Sequence, residues 1–373
     1  MILRKLSLAG AATALILVAC GSSSSGAGES KIAALRPGAP LSTPRATHAI
    51  VATGGYVLLI GGCVRDGCDP GPASATVDML VPGRRAEVGT LLARRVQPSA
   101  AALPKGRALV VGGWVDGRVV ASTEIFDTGR RSSTAGPNLG APRNAAVVVA
   151  LRDGRVLVAG GYDGQRALSS AEIYDPDTGR MRATGAMGEV RSGATATLLR
   201  DGRVLVAGGG TGERADRVAL ASAEIYDPAT GRFTSVAPLA HRRYKHGAVA
   251  LPDGDVLVIG GSDERDYGGK LDTVERYDLR RGRWVAAGRL AQRRFKLADA
   301  SVLLPSGKVL VAGGFDRPEL FDPATGTSRL LPASLGGRWN YLTAALAGQY
   351  VLLAGGYSEG TIRVSDRSWL LKL

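Results

Sequence analysis

Short apolar runs bounded by glycine, proline and aspartate recur along this chain, and their pattern predicts strands. It is clearest between residues 143 and 187. RNAAVVVAL is a strand-like apolar run, and Asp153-Gly154 after it supplies a two-residue hairpin turn. RVLVAGG follows. It is too short for a core helix, and its unbroken β-branched content suits a strand covered on both faces. SAEIYDP reads as a third strand, DPDTGR as a turn built on Asp, Pro and Gly, and RMRATGAM as a fourth strand. The unit is therefore an antiparallel meander joined by tight turns. No stretch reads as an amphipathic helix of useful length.

The unit repeats. Gly-Gly doublets ending an apolar run stand at 61–62, 112–113, 160–161, 208–209, 260–261, 313–314 and 355–356. A period of about fifty residues points to a propeller or a solenoid. One such sheet cannot bury its own faces, whereas packed copies can. Repetition also decides how to read GRVLVAGG, which occurs at 154–161 and again at 202–209. A phosphate-cradling loop needs a helix after the glycines, whose N-terminus holds the phosphate. Here a strand follows each doublet, and no Gly-Lys-Ser or Gly-Lys-Thr occurs; Gly307-Lys308 runs on into Val309. The glycines are expected instead where backbones crowd and turn.

A second mark accompanies the doublets, a Glu two residues before an aromatic-Asp pair. It reads Glu124/Phe126/Asp127, Glu172/Tyr174/Asp175, Glu224/Tyr226/Asp227, Glu275/Tyr277/Asp278 and Glu319/Phe321/Asp322. Doublet and acidic-aromatic mark together resemble the kelch repeat, from about residue 40 to the end of the sequence. The resemblance implies an all-β fold, a seven-bladed kelch-type β-propeller of four-stranded antiparallel blades over residues 38–373. Two units depart from the pattern. Asp78 and Leu80 stand for the Glu and aromatic of the first, and Arg363 and Ser365 for those of the last. The family's fourth-strand tryptophan is matched at Trp284 and Trp369. Two segments compete for the strand that closes the ring, RSWLLKL at the C-terminus and KIAALRP near residue 31.

The N-terminus has a different pattern. Arg4 and Lys5 precede an apolar run that is short for a bilayer span, and small residues lead to Cys20. Leu17-Val18-Ala19-Cys20 resembles the bacterial lipobox. The resemblance implies a signal peptide at 1–19, cleavage before Cys20, lipid on that thiol and export to the cell envelope. Residues 20–37, the lipidated Cys20 followed by GSSSSGAGES, then form a flexible tether. In an oxidising compartment Cys63 and Cys68 are expected to form a disulfide within one loop. A metal site there would need further ligands, and none is close in sequence.

Charge adds a candidate site. Against 33 acidic residues stand 47 Lys and Arg, a net charge of +14 spread along the chain without a basic arm for nucleic acid. An arginine opens the first strand of each unit: Arg45, Arg95, Arg143, Arg191, Arg243, Arg294 and Arg338. They lie 16, 17, 17, 17, 17, 19 and 17 residues before the following doublet. Arginines at one structural position would ring the mouth of a central channel and favour carboxylate, sulfate or phosphate. In kelch proteins that bind acidic peptides, arginines at the matching position line the pocket. The competing reading pairs each arginine with the Glu of its own or the next unit.

In the last three units an aromatic follows the arginine, giving Tyr244, Phe295 and Trp339. Lys245 and Lys296 come two residues after theirs, which strand alternation places on the arginine's side. Tyr244, Lys245, Lys296 and Trp339 join the candidate ligand-binding set, with packing between blades as the alternative for the aromatics.

Catalysis has little sequence support. The three histidines are His48, His241 and His246, no zinc-helix motif occurs, and neither cofactor nor metal is expected. The expectation is a monomeric, membrane-tethered binding propeller that takes an anionic glycan or an acidic protein segment. An Arg-lined channel also resembles periplasmic kelch mutarotases acting on sialic acid, which keeps an enzyme as the alternative. A passive envelope scaffold is the third reading.

Overall fold

The structure is a computed structural model that describes residues 35–66, 72–84, 86–212 and 218–373. The proposed signal peptide 1–19, lipidated Cys20, most of the tether and Cys68 lie outside the described residues.

The described strands form antiparallel meanders. The unit between residues 143 and 187 pairs Val147–Ala150 with Val156–Ala159, then Ala171–Asp175, then Arg180–Thr184. The same order recurs in sheets starting at Thr195–Leu198, Gly247–Ala250 and Ser301–Leu303. The strands from Ala49–Thr53 to Ser132–Ala135 make two such meanders, joined by a single parallel pairing of Thr90 with Ser132. Among the described residues the helical structure is one 3₁₀ turn, Asp266–Gly269. The fold is an all-β propeller.

The second strand of each meander explains its unbroken apolar run. All of Val156–Ala159 is buried, and so is all of Val204–Ala207. Side chains alternate along a strand, so each face meets a different neighbour. Val156 and Val158 pack against Leu109 and Val111 of the preceding unit. Leu157 and Ala159 pack against Val204 and Val206 of the following one. The aromatic of the acidic-aromatic mark fills the same seam, Tyr174 against the preceding unit and Tyr226 likewise. The aspartate after it builds a turn. Asp175 Oδ1 accepts the amides of Asp177 and Thr178 at 2.9 and 3.3 Å.

Two expectations are corrected in detail. The Asp153-Gly154 hairpin has a three-residue loop, because Leu151 N–H donates to Arg155 O at 2.7 Å and leaves 152–154 as the loop. Gly154 takes the left-handed conformation there (φ 86°), the usual end of such a loop. The two candidate closing segments both serve, in one sheet. Ser368–Lys372 is its third strand, so Trp369 does not hold the fourth-strand tryptophan position expected for it, and Leu35–Pro37 pairs outside it. Residues 35–37 are therefore part of the folded unit and not of the tether. Pairing the two ends of the chain in one sheet leaves that sheet no missing strand.

The first strands stand side by side around a channel. Ala49–Thr53 neighbours Ser99–Leu103 on one side and Thr343–Ala347 on the other. Backbone bonds run around the same circuit. The second glycine of each doublet donates to the next unit, Gly161 to Arg191 O at 2.9 Å and Gly209 to Arg243 O at 2.9 Å. Gly356 returns to Arg45 O at 2.9 Å. A Cβ on Gly160 would sit 2.5 Å from Arg191 O, and Gly160 has φ 62°, so both contact and conformation require glycine.

Candidate functional site

The arginines selected from the sequence do not line the channel. Arg45, Arg95, Arg143, Arg191, Arg243 and Arg294 are all at most 1% exposed. Each turns into its own unit and meets the same partners. Arg191 Nη1 donates to Gly208 O at 2.8 Å and to Ser222 O at 3.2 Å, while Nη2 meets Glu224 Oε1 at 2.7 Å. Arg143 repeats this with Gly160, Ser170 and Glu172, and Arg243 with Gly260, Thr273 and Glu275. Arg95 pairs with Glu124, Arg294 with Glu319, and Arg45 with Asp78 at 3.0 Å. The spacing of 16 to 19 residues is thus a hydrogen bond, from guanidinium to the first glycine of the doublet.

The carboxylate completes the unit. Glu224 also accepts the amide of Gly188, and Glu275 that of Ala240, both at 2.7 Å. Burial pushes Arg45, Arg243 and Arg294 down, and their carboxylates oppose that shift. A guanidinium stays charged even so. The six are buried ion pairs within a unit, and their charge is not presented to a ligand.

Arg338 breaks the series because the last unit lacks the carboxylate. The backbone shows that Trp339 holds the arginine position, since Trp339 O accepts Gly314 N–H as Arg191 O accepts Gly161 N–H. Trp339 is buried, donates its indole N–H to Leu335 O at 3.2 Å, and lies 6.2 Å from the Trp369 ring. It packs and does not face the channel. Arg338, one residue earlier, is exposed, 5.1 Å from the Phe315 ring and 4.0 Å from Glu359.

Two residues after the arginine position, the backbone is left-handed. Thr47, Gln97, Ala145, Lys245, Lys296 and Tyr341 have φ of 53, 53, 48, 51, 57 and 53°, and Gly193 has 60°. Strand alternation therefore does not carry from arginine to lysine. The arginine enters the blade, while the residue two later lines the channel. Adjacent members are bonded, Lys245 N–H to Gly193 O at 3.2 Å and Tyr341 N–H to Lys296 O at 3.2 Å. Non-glycine residues in this conformation are costly and persist where the surroundings fix them.

This belt is the mouth of a cavity of about 1290 Å³. On one side the belt positions are Thr47, Gln97, Ala145 and Gly193, beside Arg94, Trp114 and Tyr162. On the other they are Lys245, Lys296 and Tyr341, beside Tyr244, Asp266 and Tyr357. Lys296 is 5% exposed, and its ammonium donates to Tyr267 Oη at 2.9 Å and Tyr357 Oη at 2.6 Å. It lies 4.2, 4.7 and 5.2 Å from the rings of Tyr267, Phe295 and Tyr357. Burial, aided by Lys245, pulls its pKa down to about 7. Lys245 is 3.6 Å from Asp266, which accepts the Tyr244 hydroxyl at 2.7 Å. Lys270 meets Glu359 at 2.6 Å. Deeper in, Asp299 is open to the lumen but walled by protein, and poorer solvation raises its carboxyl to about 6. Lys270, Tyr267, Tyr357 and Asp299 were absent from the sequence-derived set; Tyr357 directly follows its doublet, as Tyr162 does, whereas Tyr267 and Lys270 stand in a loop that follows no repeat.

Kelch motifs are matched at residues 143–180, 191–240 and 243–290. Over 72 residues the chain is 36% identical to Kelch-like protein 13 of Mus musculus, covering 19% of this chain and 11% of that protein. Over 96 residues it is 32% identical to Kelch-like protein 7 of Rattus norvegicus, covering 26% and 15%. The matched region is thus a small part of those relatives' length. The chain is a kelch-repeat protein.

Among solved structures it is similar to a fungal alcohol oxidase of the AA5 family in complex with copper. The TM-score is 0.68 at 18% identity, over 92% of this chain and 76% of that one. That likeness concerns the fold. Among the described residues no group of three or more His, Cys, Asp or Glu is placed to hold a metal. The two buried histidines are bonded elsewhere, His48 Nε2 to Thr343 Oγ1 at 2.9 Å and His246 Nε2 to Thr195 Oγ1 at 2.8 Å. Cys63 is disulfide-bonded.

Burial, with the nearby Arg45 and Arg243 guanidinium groups, holds both histidines neutral, at about 3 against an ordinary 6.5. Between those values the unfolded chain binds more protons than the folded one. Stability is therefore full above pH 6.5 and lost as pH falls toward 3, by up to about 1.4 kcal/mol per pH unit for each histidine. The urea midpoint should drop between pH 7 and pH 5, and His246→Gln should flatten that slope. A midpoint equal at both pH values would contradict neutral burial.

Proposed function

We propose that the chain is an exported, lipid-tethered binding propeller that receives an acidic segment of another protein at the lysine-tyrosine side of its channel mouth. The supporting observation is the asymmetry of the belt. Lys245 and Lys296 line one side of the opening with Tyr244, Tyr341 and Tyr357, while Tyr267 and Lys270 adjoin Lys296 and exposed Arg338 adjoins Lys270 through Glu359. Kelch repeats typically mediate protein–protein binding, which favours a protein partner. Cations beside aromatic faces suit carboxylates carried on an apolar stem. An acidic sugar is the second reading, favoured by the ring of Tyr267, which is 42% exposed.

Binding of Glu-rich peptides, followed by fluorescence anisotropy, tests the site. Lys245→Ala with Arg338→Ala should weaken the complex by about tenfold, or about 1.4 kcal/mol, with an unchanged melting temperature. Equal affinity in the variant would reject this mouth. A preference for uronate oligosaccharides over the peptides would instead select the second reading. The tether rests on the lipobox-like Leu17–Cys20 segment, so Cys20→Ser should abolish incorporation of an alkyne-labelled fatty acid. Undiminished labelling would contradict it.

A further inference from the structure

We infer that Lys296 is a carbonyl-capturing nucleophile, whose amine forms an imine with a small aldehyde or α-keto acid entering the channel. The inference concerns the same mouth as the reading above but does not require its macromolecular ligand.

The geometry separates this amine from the other lysines. Lys245 and Lys270 face carboxylates, Asp266 and Glu359. Lys296 faces two phenol hydroxyls and is enclosed by the rings of Tyr267, Phe295, Tyr341 and Tyr357. Neutral phenols stabilise an ammonium less than a carboxylate does, so the free amine is within reach. The two hydroxyls hold the amine in place, and the bonded left-handed belt (φ 57°) fixes the backbone that carries it. A nucleophile fixed at the wall of a cavity needs little rearrangement to meet a carbonyl carbon.

The surroundings support the same protonation state. Burial and the like charges of Lys245 and Lys270 lower the Lys296 pKa, while Asp266 and Glu359 oppose this, and the balance is about 7. Near neutral pH about half of this amine is free, whereas an ordinary lysine of pKa about 10.4 is almost wholly protonated.

The reaction balances without a redox partner. The Nζ lone pair attacks the carbonyl carbon, and the C=O π pair moves to oxygen. Both amine protons end on that oxygen, relayed by the Tyr267 hydroxyl 2.9 Å away, and it leaves as water while C=N forms. A carboxylate on the carbonyl compound would lie among Lys245, Lys270 and Lys296.

Glyoxylate with cyanoborohydride tests this on the intact wild-type protein. Hydride reduces the imine carbon, and a carboxymethyl group remains on each lysine that reacted. Peptide mapping at pH 7 should find Lys296 labelled faster than exposed Lys105 and Lys372 by on the order of a hundredfold. Its rate should rise to a plateau with a midpoint near pH 7, and Tyr267→Phe should slow it. Lys296→Met should remove that site's label and leave the others. Labelling of Lys296 no faster than of Lys105 would overturn the inference. Because the readout is covalent and uses no peptide ligand, its failure is distinguishable from failure of the binding site proposed above.

Discussion

Each regular unit is organised around a guanidinium that has left water. An isolated buried charge is prohibitive, and a buried pair is tolerable only when geometry and further hydrogen bonds compensate its lost hydration. Here the compensation is complete enough to repeat. Arg191 reaches the doublet through Gly208 O, the third strand through Ser222 O, and a carboxylate through Glu224. Glu224 in turn holds the amide of Gly188 in the entering loop. One ion pair thus fixes the loop from the preceding blade, the end of the second strand and the face of the third.

The functional surface follows from what the arginine does not occupy. With its side chain committed to the blade, the chain must leave the arginine, turn and begin the channel-facing strand. It does so through the left-handed residue two positions later, and that residue forms the lip of the channel. Where the position holds Ala145 or Gly193, the lip is bare. Where it holds Lys245, Lys296 or Tyr341, with the Asp266–Gly269 turn alongside, the lip becomes a basic and aromatic patch. The scaffold is periodic and this surface is not.

That division explains what could be read from sequence. The doublets, the acidic-aromatic marks and the arginine spacing come from contacts made in the same way in successive units, so they recur and are legible. The direction of the arginines was not. The sequence set six of the seven arginines beside matching carboxylates and left open whether the charge faced inward or outward; burial decides it for Arg45 to Arg294. Alternation misplaced Lys245 and Lys296 relative to their arginines, because a left-handed residue reverses the pleat and carries no sequence signature when lysine fills it. Arg338 was matched by residue type, whereas the backbone register assigns its position to Trp339. Tyr267, Lys270 and Glu359 come from loops after the doublets, where each unit differs, and only the folded chain brings them to Lys296.

A double-mutant cycle on Arg191 and Glu224 tests the central claim most directly. Arg191→Met and Glu224→Gln should each cost about 3–5 kcal/mol in urea unfolding, because each leaves a buried partner uncompensated. The pair together should cost less than the sum by about 2 kcal/mol or more. Single losses under about 0.5 kcal/mol that simply add are the mark of exposed, independent residues, and would contradict the buried arginine as the organising contact.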